Sequence, residues 1–156
     1  MKKTLFTILS LLILTISVHA DDKQDALNTF KNYVNAANTY SNTVTDYYSP
    51  NAKIIRQVIK PDGTTVDVLT NTATYVKQMK LGQAGAKLKQ YKNNYTDVNA
   101  TLISQGKVKI SSIRHPSGDN DNLKTYMIFQ KQSNGKWIIV EELMQTRQQI
   151  FLKYAK

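Results

Sequence analysis

The chain has 156 residues, with 21 Lys plus Arg against 11 Asp plus Glu and no cysteine. The missing thiols exclude disulfides, thiolate metal sites, cysteine nucleophiles and a lipid-modified cysteine. The net charge of +10 suits anionic partners, although surplus surface lysine also serves plain solubility.

Residues 1–20 have the layout of a secretory signal. Lys2 and Lys3 open it, a nearly unbroken apolar run follows from Leu5 to Val18, and Val18-His19-Ala20 offers a cleavage point before Asp21. The run is shorter than the ~18 residues that read as a membrane span. The expectation is a periplasmic or secreted protein, cut near Ala20, with no stable membrane anchor. What remains is one domain over residues 21–146, followed by a basic tail over 147–156. Cleavage removes His19 and leaves His115 as the only histidine of the mature chain. With cysteine also absent, no ordinary zinc ligand set is available, so no metal and no cofactor are expected.

The first expected helix covers Asp25–Tyr40. Ala26, Leu27, Phe30, Tyr33, Val34 and Ala37 form a single apolar face, and Asp21, Asp22 and Asp25 suit the positive end of the helix dipole. A short second helix is expected over Val44–Tyr48, ended by Pro50. Lys53–Lys60 and Thr64–Thr70 then read as a hairpin turned by Pro61-Asp62-Gly63. Thr70 or Asn71 caps a third helix through Tyr75, Val76 and Met79, which Gly82 and Gly85 loosen before Leu88.

From Tyr91 onward only strands are expected. They cover Asn94–Ser104 (Val98, Ala100 and Leu102 on one side), Lys107–Arg114, Leu123–Lys131 and Lys136–Thr146. Gln105-Gly106, a polar loop over His115–Asn122 and Ser133-Asn134-Gly135 separate them. In the tail, Ile150, Phe151 and Tyr154 fall at helix-like spacing. Helices first and a strand meander last indicate the α+β class.

This element order resembles the nuclear transport factor 2-like superfamily, the SnoaL-like or cystatin-like α+β cone. The motifs are Tyr47-Tyr48-Ser49-Pro50-Asn51-Ala52 entering the first strand, the Pro61-Asp62-Gly63 hairpin, and Asn134-Gly135-Lys136-Trp137-Ile138-Ile139 entering the last. The resemblance implies three helices from the N-terminal half packed on a strongly curved antiparallel sheet of about six strands, with a pocket between them. It implies no single function, because the superfamily hosts isomerases, dehydratases, hydrolases, binding modules and assembly domains.

Candidate site residues are polar groups sharing a strand face with apolar neighbours. Arg56 lies on the side of Ile54 and Val58, and Ser112 on the side of Val108 and Ile110. Glu141 alternates with Trp137, Ile139 and Leu143, whereas Glu142 alternates with Ile138, Val140 and Met144. Only one of the two glutamates can point inward. Arg56, Tyr33, Tyr47, Trp137 and Glu141 are the expected ligand-binding set. His115 and Glu141 are the candidates for acid–base catalysis, histidine being the side chain type that titrates near neutrality. Ketosteroid isomerase-like members carry an acidic base on the first strand, and Lys53–Lys60 contains no Asp or Glu. Epoxide hydrolase-like members use an acid–arginine–acid set, of which Arg56 matches one part and Asp67 is a candidate for another.

The last strand is apolar on both faces, so both need cover. A second copy of the chain or the tail through Ile150 and Phe151 could supply it. Lys77, Lys80, Lys87, Lys89, Lys92, Lys107 and Lys109 form a solvated basic surface, and with export expected, nucleic acid is not an expected partner. Three readings follow. The first is an exported, non-catalytic domain that binds a small apolar or amphipathic ligand or a partner. The others are a polyketide cyclase or dehydratase-like enzyme and an envelope-complex assembly domain.

Overall fold

The computed structural model describes residues 21–155; the expected signal peptide lies outside them. Helix α1 spans residues 21–38. Ala26, Phe30 and Tyr33 from its apolar stripe are buried in the core. Past its last turn, Tyr40 adopts a left-handed φ of 58°, and Ser41 N–H donates back to the Ala36 carbonyl at 2.9 Å.

The expected second α-helix is instead a 3₁₀ helix, Asn42–Tyr47, capped by the Ser41 side chain. Polar Asn42, Thr43 and Thr45 give it too little apolar surface to hold a longer helix against the core. Tyr48 already belongs to strand β1, Tyr48–Ile59, which runs through Pro50. Proline is tolerated there because the register slips between Tyr48 and Lys53, so no regular ladder bond is lost.

Strand β2 is Thr65–Thr70 and helix α2 is Thr72–Leu88. Asn71 caps α2 by accepting from Thr74 N–H at 2.8 Å. Gly82 and Gly85 do not interrupt it. Both sit within the helix on its outer side or the cavity rim, where a missing side chain costs propensity but no packing. Thr72 Oγ1 donates to the Ala52 carbonyl at 2.9 Å and ties α2 to β1.

Strands β3 (Asn93–Ser104), β4 (Lys107–Pro116), β5 (Leu123–Lys131) and β6 (Trp137–Thr146) complete one six-stranded sheet in the order β2-β1-β6-β5-β4-β3. The meander β3 to β6 is antiparallel as expected, but β1 pairs with β6 in parallel. The sheet is therefore mixed. The inward side is regular in β4, where Val108, Ile110, Ser112 and Arg114 are all buried. In β3, Asp97 takes a left-handed φ of 53° inside a register shift between Thr96 and Asn99. That bulge turns Asp97 to the outer side beside Lys109 and Ser111, while Val98 keeps the face of Ala100 and Leu102 and stands near Phe30, Val34 and Tyr95 at the open edge of the sheet. The tail forms a 3₁₀ helix, Gln149–Tyr154, lying against β1 and β2, with Gln149 Nε2 donating to the Ile59 carbonyl at 2.9 Å.

Candidate functional site

The site is built around a buried charged pair. Arg56 projects from β1 and Glu142 from β6, with Nη1 to Oε1 at 2.7 Å. Glu142 is 0% exposed. Its other oxygen accepts from the Tyr48 hydroxyl. Tyr48 has then spent its proton on the carboxylate, so the Tyr33 hydroxyl, 2.9 Å away, is the donor to Tyr48. The result is a directed chain from Tyr33 to Tyr48 to Glu142, closed on the far side by Arg56. Tyr75 from α2 covers it, with the Arg56 guanidinium 4.5 Å from its ring centroid and its ring edge-on to Tyr48 at 5.3 Å.

The ionisation of these groups follows their burial. Burial, then the Glu142 charge, raises the Tyr33 and Tyr48 hydroxyls well above the ordinary tyrosine value. Burial pushes Tyr75 up to about 12, against the opposing pull of Arg56. Burial acts to lower Arg56, but Tyr75 and Glu142 outweigh it and hold the guanidinium charged.

A bulge decides which glutamate takes part. Phe129 faces Ile139 and Ile128 faces Glu141, so Val140 has no partner on β5. The extra residue resets the alternation. Trp137 and Ile139 point inward, and the next inward residue is Glu142. The expectation that Glu141 shares their face is thus overturned. Glu141 lies on the outer side, where it accepts from the Tyr126 hydroxyl at 2.6 Å and has Lys53 Nζ at 4.0 Å.

A cavity of about 280 Å³ opens beside this network, between the two helices and the start of β3. Tyr33, Tyr75 and Met144 form the wall it shares with the charged pair, and Met79, Gln83 and Ala86 of α2 form the opposite side. Tyr40, Tyr91 and Tyr95 add aromatic surface. Among the described residues, no Asp, Glu or His lines it. Asn38 Nδ2 donates to the Asn93 carbonyl and Asn93 N–H donates to Asn38 Oδ1, both at 2.9 Å, which pins α1 to β3 at the rim.

The expected site residues thus separate. Tyr33 lines the cavity and belongs to the network. Arg56 belongs to the network but lies behind Tyr75. Tyr47 packs edge-on against Tyr33 at 5.7 Å, and Trp137 is buried in the core with its indole Nε1 unpartnered; neither lines the cavity. His115 lies within β4 rather than in a loop, because the strand runs on to Pro116. It faces away from its neighbour Arg114, with Nε2 2.9 Å from Thr96 Oγ1. Asp67, on the edge strand β2, accepts from Gln57 Nε2 at 2.8 Å, away from Glu142. Sequence reasoning weighed Glu142 against Glu141 without deciding between them, and did not single out Tyr75 or Arg114 as site residues. The signal for Arg114 was available in the parity of Val108, Ile110 and Ser112.

No protein-family model and no curated protein matches the chain. Solved structures do. A protein of unknown function from the DUF3225 family of Pectobacterium atrosepticum superposes with a TM-score of 0.60 at 16% identity, covering 81% of this chain and 91% of that one. An NTF-2 like protein of unknown function from Shewanella oneidensis gives 0.58 at 12% identity, covering 79% and 98%. A Novosphingobium aromaticivorans protein provisionally named scytalone dehydratase gives 0.56 at 9% identity, covering 83% and 86%. At these identities the likeness establishes the fold: an α+β domain of the nuclear transport factor 2-like, cystatin-like type.

Proposed function

We propose that the chain is an exported binding domain that holds a small amphipathic ligand in the cavity between α1, α2 and β3 and performs no chemistry on it. The observation that carries this reading is the division between wall and network. The cavity wall is apolar and tyrosine-rich, which suits a ligand with a hydrocarbon or aromatic body. The buried carboxylate behind that wall, Glu142, has both oxygens engaged by Arg56 and Tyr48. A general base must reach the proton it abstracts. Glu142 is walled off by Tyr33 and Tyr75, and His115 faces the other side of the sheet. The cyclase or dehydratase reading therefore lacks a carboxylate or imidazole base at the cavity. Export rests on the signal-like residues 1–20.

The test is a fluorescence titration of the protein from Asp21 onward with N-phenyl-1-naphthylamine, an uncharged aromatic probe. Saturable binding at one site is expected. Met79→Trp fills the cavity from α2 and abolishes that binding while the circular dichroism spectrum is kept. Binding unaffected by Met79→Trp, or none in the parent protein, overturns the proposal.

A further inference from the structure

Three of the buried charged residues have obvious counter-charges or lack them in an informative way. Glu142 is paired with Arg56, and Asp22 with Lys131. Arg114, only 7% exposed, has no carboxylate partner among the described residues. Its Nη1 donates to Asn93 Oδ1 at 2.9 Å and to the Tyr91 hydroxyl at 3.3 Å, and its Nη2 to the Gln145 carbonyl at 2.8 Å. These acceptors are all neutral. Its Nε is buried and bonded to nothing. A buried charge is ordinarily paired, so this guanidinium stands out as uncompensated.

Its position gives that fact a direction. Asn93 and Tyr91, the two side chains it holds, both line the cavity, and so does Tyr95, its cross-strand partner. The Tyr40 hydroxyl, also of the cavity lining, is a second buried polar atom without a partner. Lys80 stands on the same lining. Arg56 and Glu142 pair with each other, so the charges left near the cavity are Lys80 on its lining and the buried Arg114, which stands behind Tyr91 and Asn93 and does not itself line it.

From this we propose that the cavity takes an organic anion, a carboxylate-headed amphiphile whose head group lies toward Arg114 and whose apolar body lies along Met79, Ala86 and Met144. The head group supplies the missing counter-charge, reached through the Tyr91 and Asn93 edge of the cavity. The inference rests on the binding role proposed above and adds the chemical class of the ligand.

The experiment displaces bound N-phenyl-1-naphthylamine with octanoate or with 1-octanol, which share a chain length and differ in head group. Octanoate is expected to displace the probe at a concentration lower by about tenfold or more, the scale of attraction between a carboxylate and an uncompensated buried charge a few ångströms behind the wall. Arg114→Gln should remove that preference while leaving 1-octanol unchanged, and Arg114→Lys should restore part of it. If Arg114→Gln does not fold, the parent protein still decides, because equal displacement by acid and alcohol overturns the anion assignment and leaves Arg114 as a strut between β3, β4 and β6. A preference for octanoate that survives Arg114→Gln and vanishes in Lys80→Ala also overturns it, placing the selectivity at the rim. Failure of the probe itself to bind overturns the binding role along with it.

Discussion

Arg56 and Glu142 meet at 2.7 Å across the one parallel strand pair of the sheet, with Glu142 sealed from solvent. Taking one charge away leaves the other buried and unpaired, which costs far more than the intact pair contributes. Glu142→Leu should therefore lower stability by about 3–5 kcal/mol. The double variant Arg56→Met, Glu142→Leu should recover most of this loss, falling short by about 1 kcal/mol because the Tyr48 hydroxyl loses its acceptor. Urea denaturation of the parent, both single variants and the double variant closes the cycle. Additive losses would show that the pair is not a unit.

The tyrosines above that pair predict an alkaline limit. The folded values of Tyr33, Tyr48 and Tyr75 lie above the unfolded value of about 10. Below pH ~10 both states hold these protons, and the contribution of the tyrosines is fully present. As pH rises further, the unfolded chain releases protons that the folded one retains, so stability declines, and for Tyr75 the loss continues to about pH 12. The urea midpoint should be level between pH 7 and 9 and fall steadily from pH 10 to 11.5. Tyr75→Phe should make that fall shallower. An unchanged slope would mean that Tyr75 titrates like a tyrosine in water.

Much of this architecture was legible in residues 21–146, because binary pattern is a local signal. Phe30 and Tyr33 fall on one helical stripe, and Val108 and Ile110 alternate inward without interruption. The Glu141–Glu142 choice was not legible. Counting parity from Trp137 assumes unbroken alternation, and Val140 breaks it through how β6 seats on β5. The parallel pairing of β1 with β6 was hidden for a similar reason: it joins segments far apart in sequence, and no turn signal records it. Arg114 shares the parity of Val108, Ile110 and Ser112, so its inward side was legible; its place inside the sheet was not, because the expected strand ended at it, whereas Pro116 lies at the true end.

At the other end of the cone, Asp22 ties α1 to the turn between β3 and β4. It is 3% exposed, accepts from Gly106 N–H at 2.9 Å, and has Lys131 Nζ at 3.4 Å. Gly106 needs its left-handed φ of 67° to make that turn. Asp22→Ala leaves the Gly106 N–H without an acceptor and should cost about 1–3 kcal/mol, with Asp22→Asn costing less because an acceptor remains. Faster hydrogen exchange at Gly106 is the local readout. The same contact bears on processing. A mature chain beginning at Asp21 keeps this tether, so N-terminal sequencing of protein recovered from outside the cytoplasm should start there. A start at Lys23 or later would contradict the expected cleavage site.

The reciprocal bonds between Asn38 and Asn93 fix the width of the cavity rim, because they join α1 to β3 through one side chain. Asn93 has a second task, since its Oδ1 accepts from Arg114 at 2.9 Å. Asn38→Ala removes both rim bonds and leaves the Asn93 N–H unpartnered, so a loss of about 1–3 kcal/mol is expected. Asn38→Asp keeps an acceptor for the N–H but sets a carboxylate against the Asn93 carbonyl, so it should rescue little. The effect on binding should exceed that of a destabilising change elsewhere. Asp22→Ala, of similar cost, should leave N-phenyl-1-naphthylamine affinity unchanged at temperatures where the protein is folded, whereas Asn38→Ala should weaken it several-fold. Equal affinities in the two variants would mean that the rim bonds serve stability alone and do not shape the cavity.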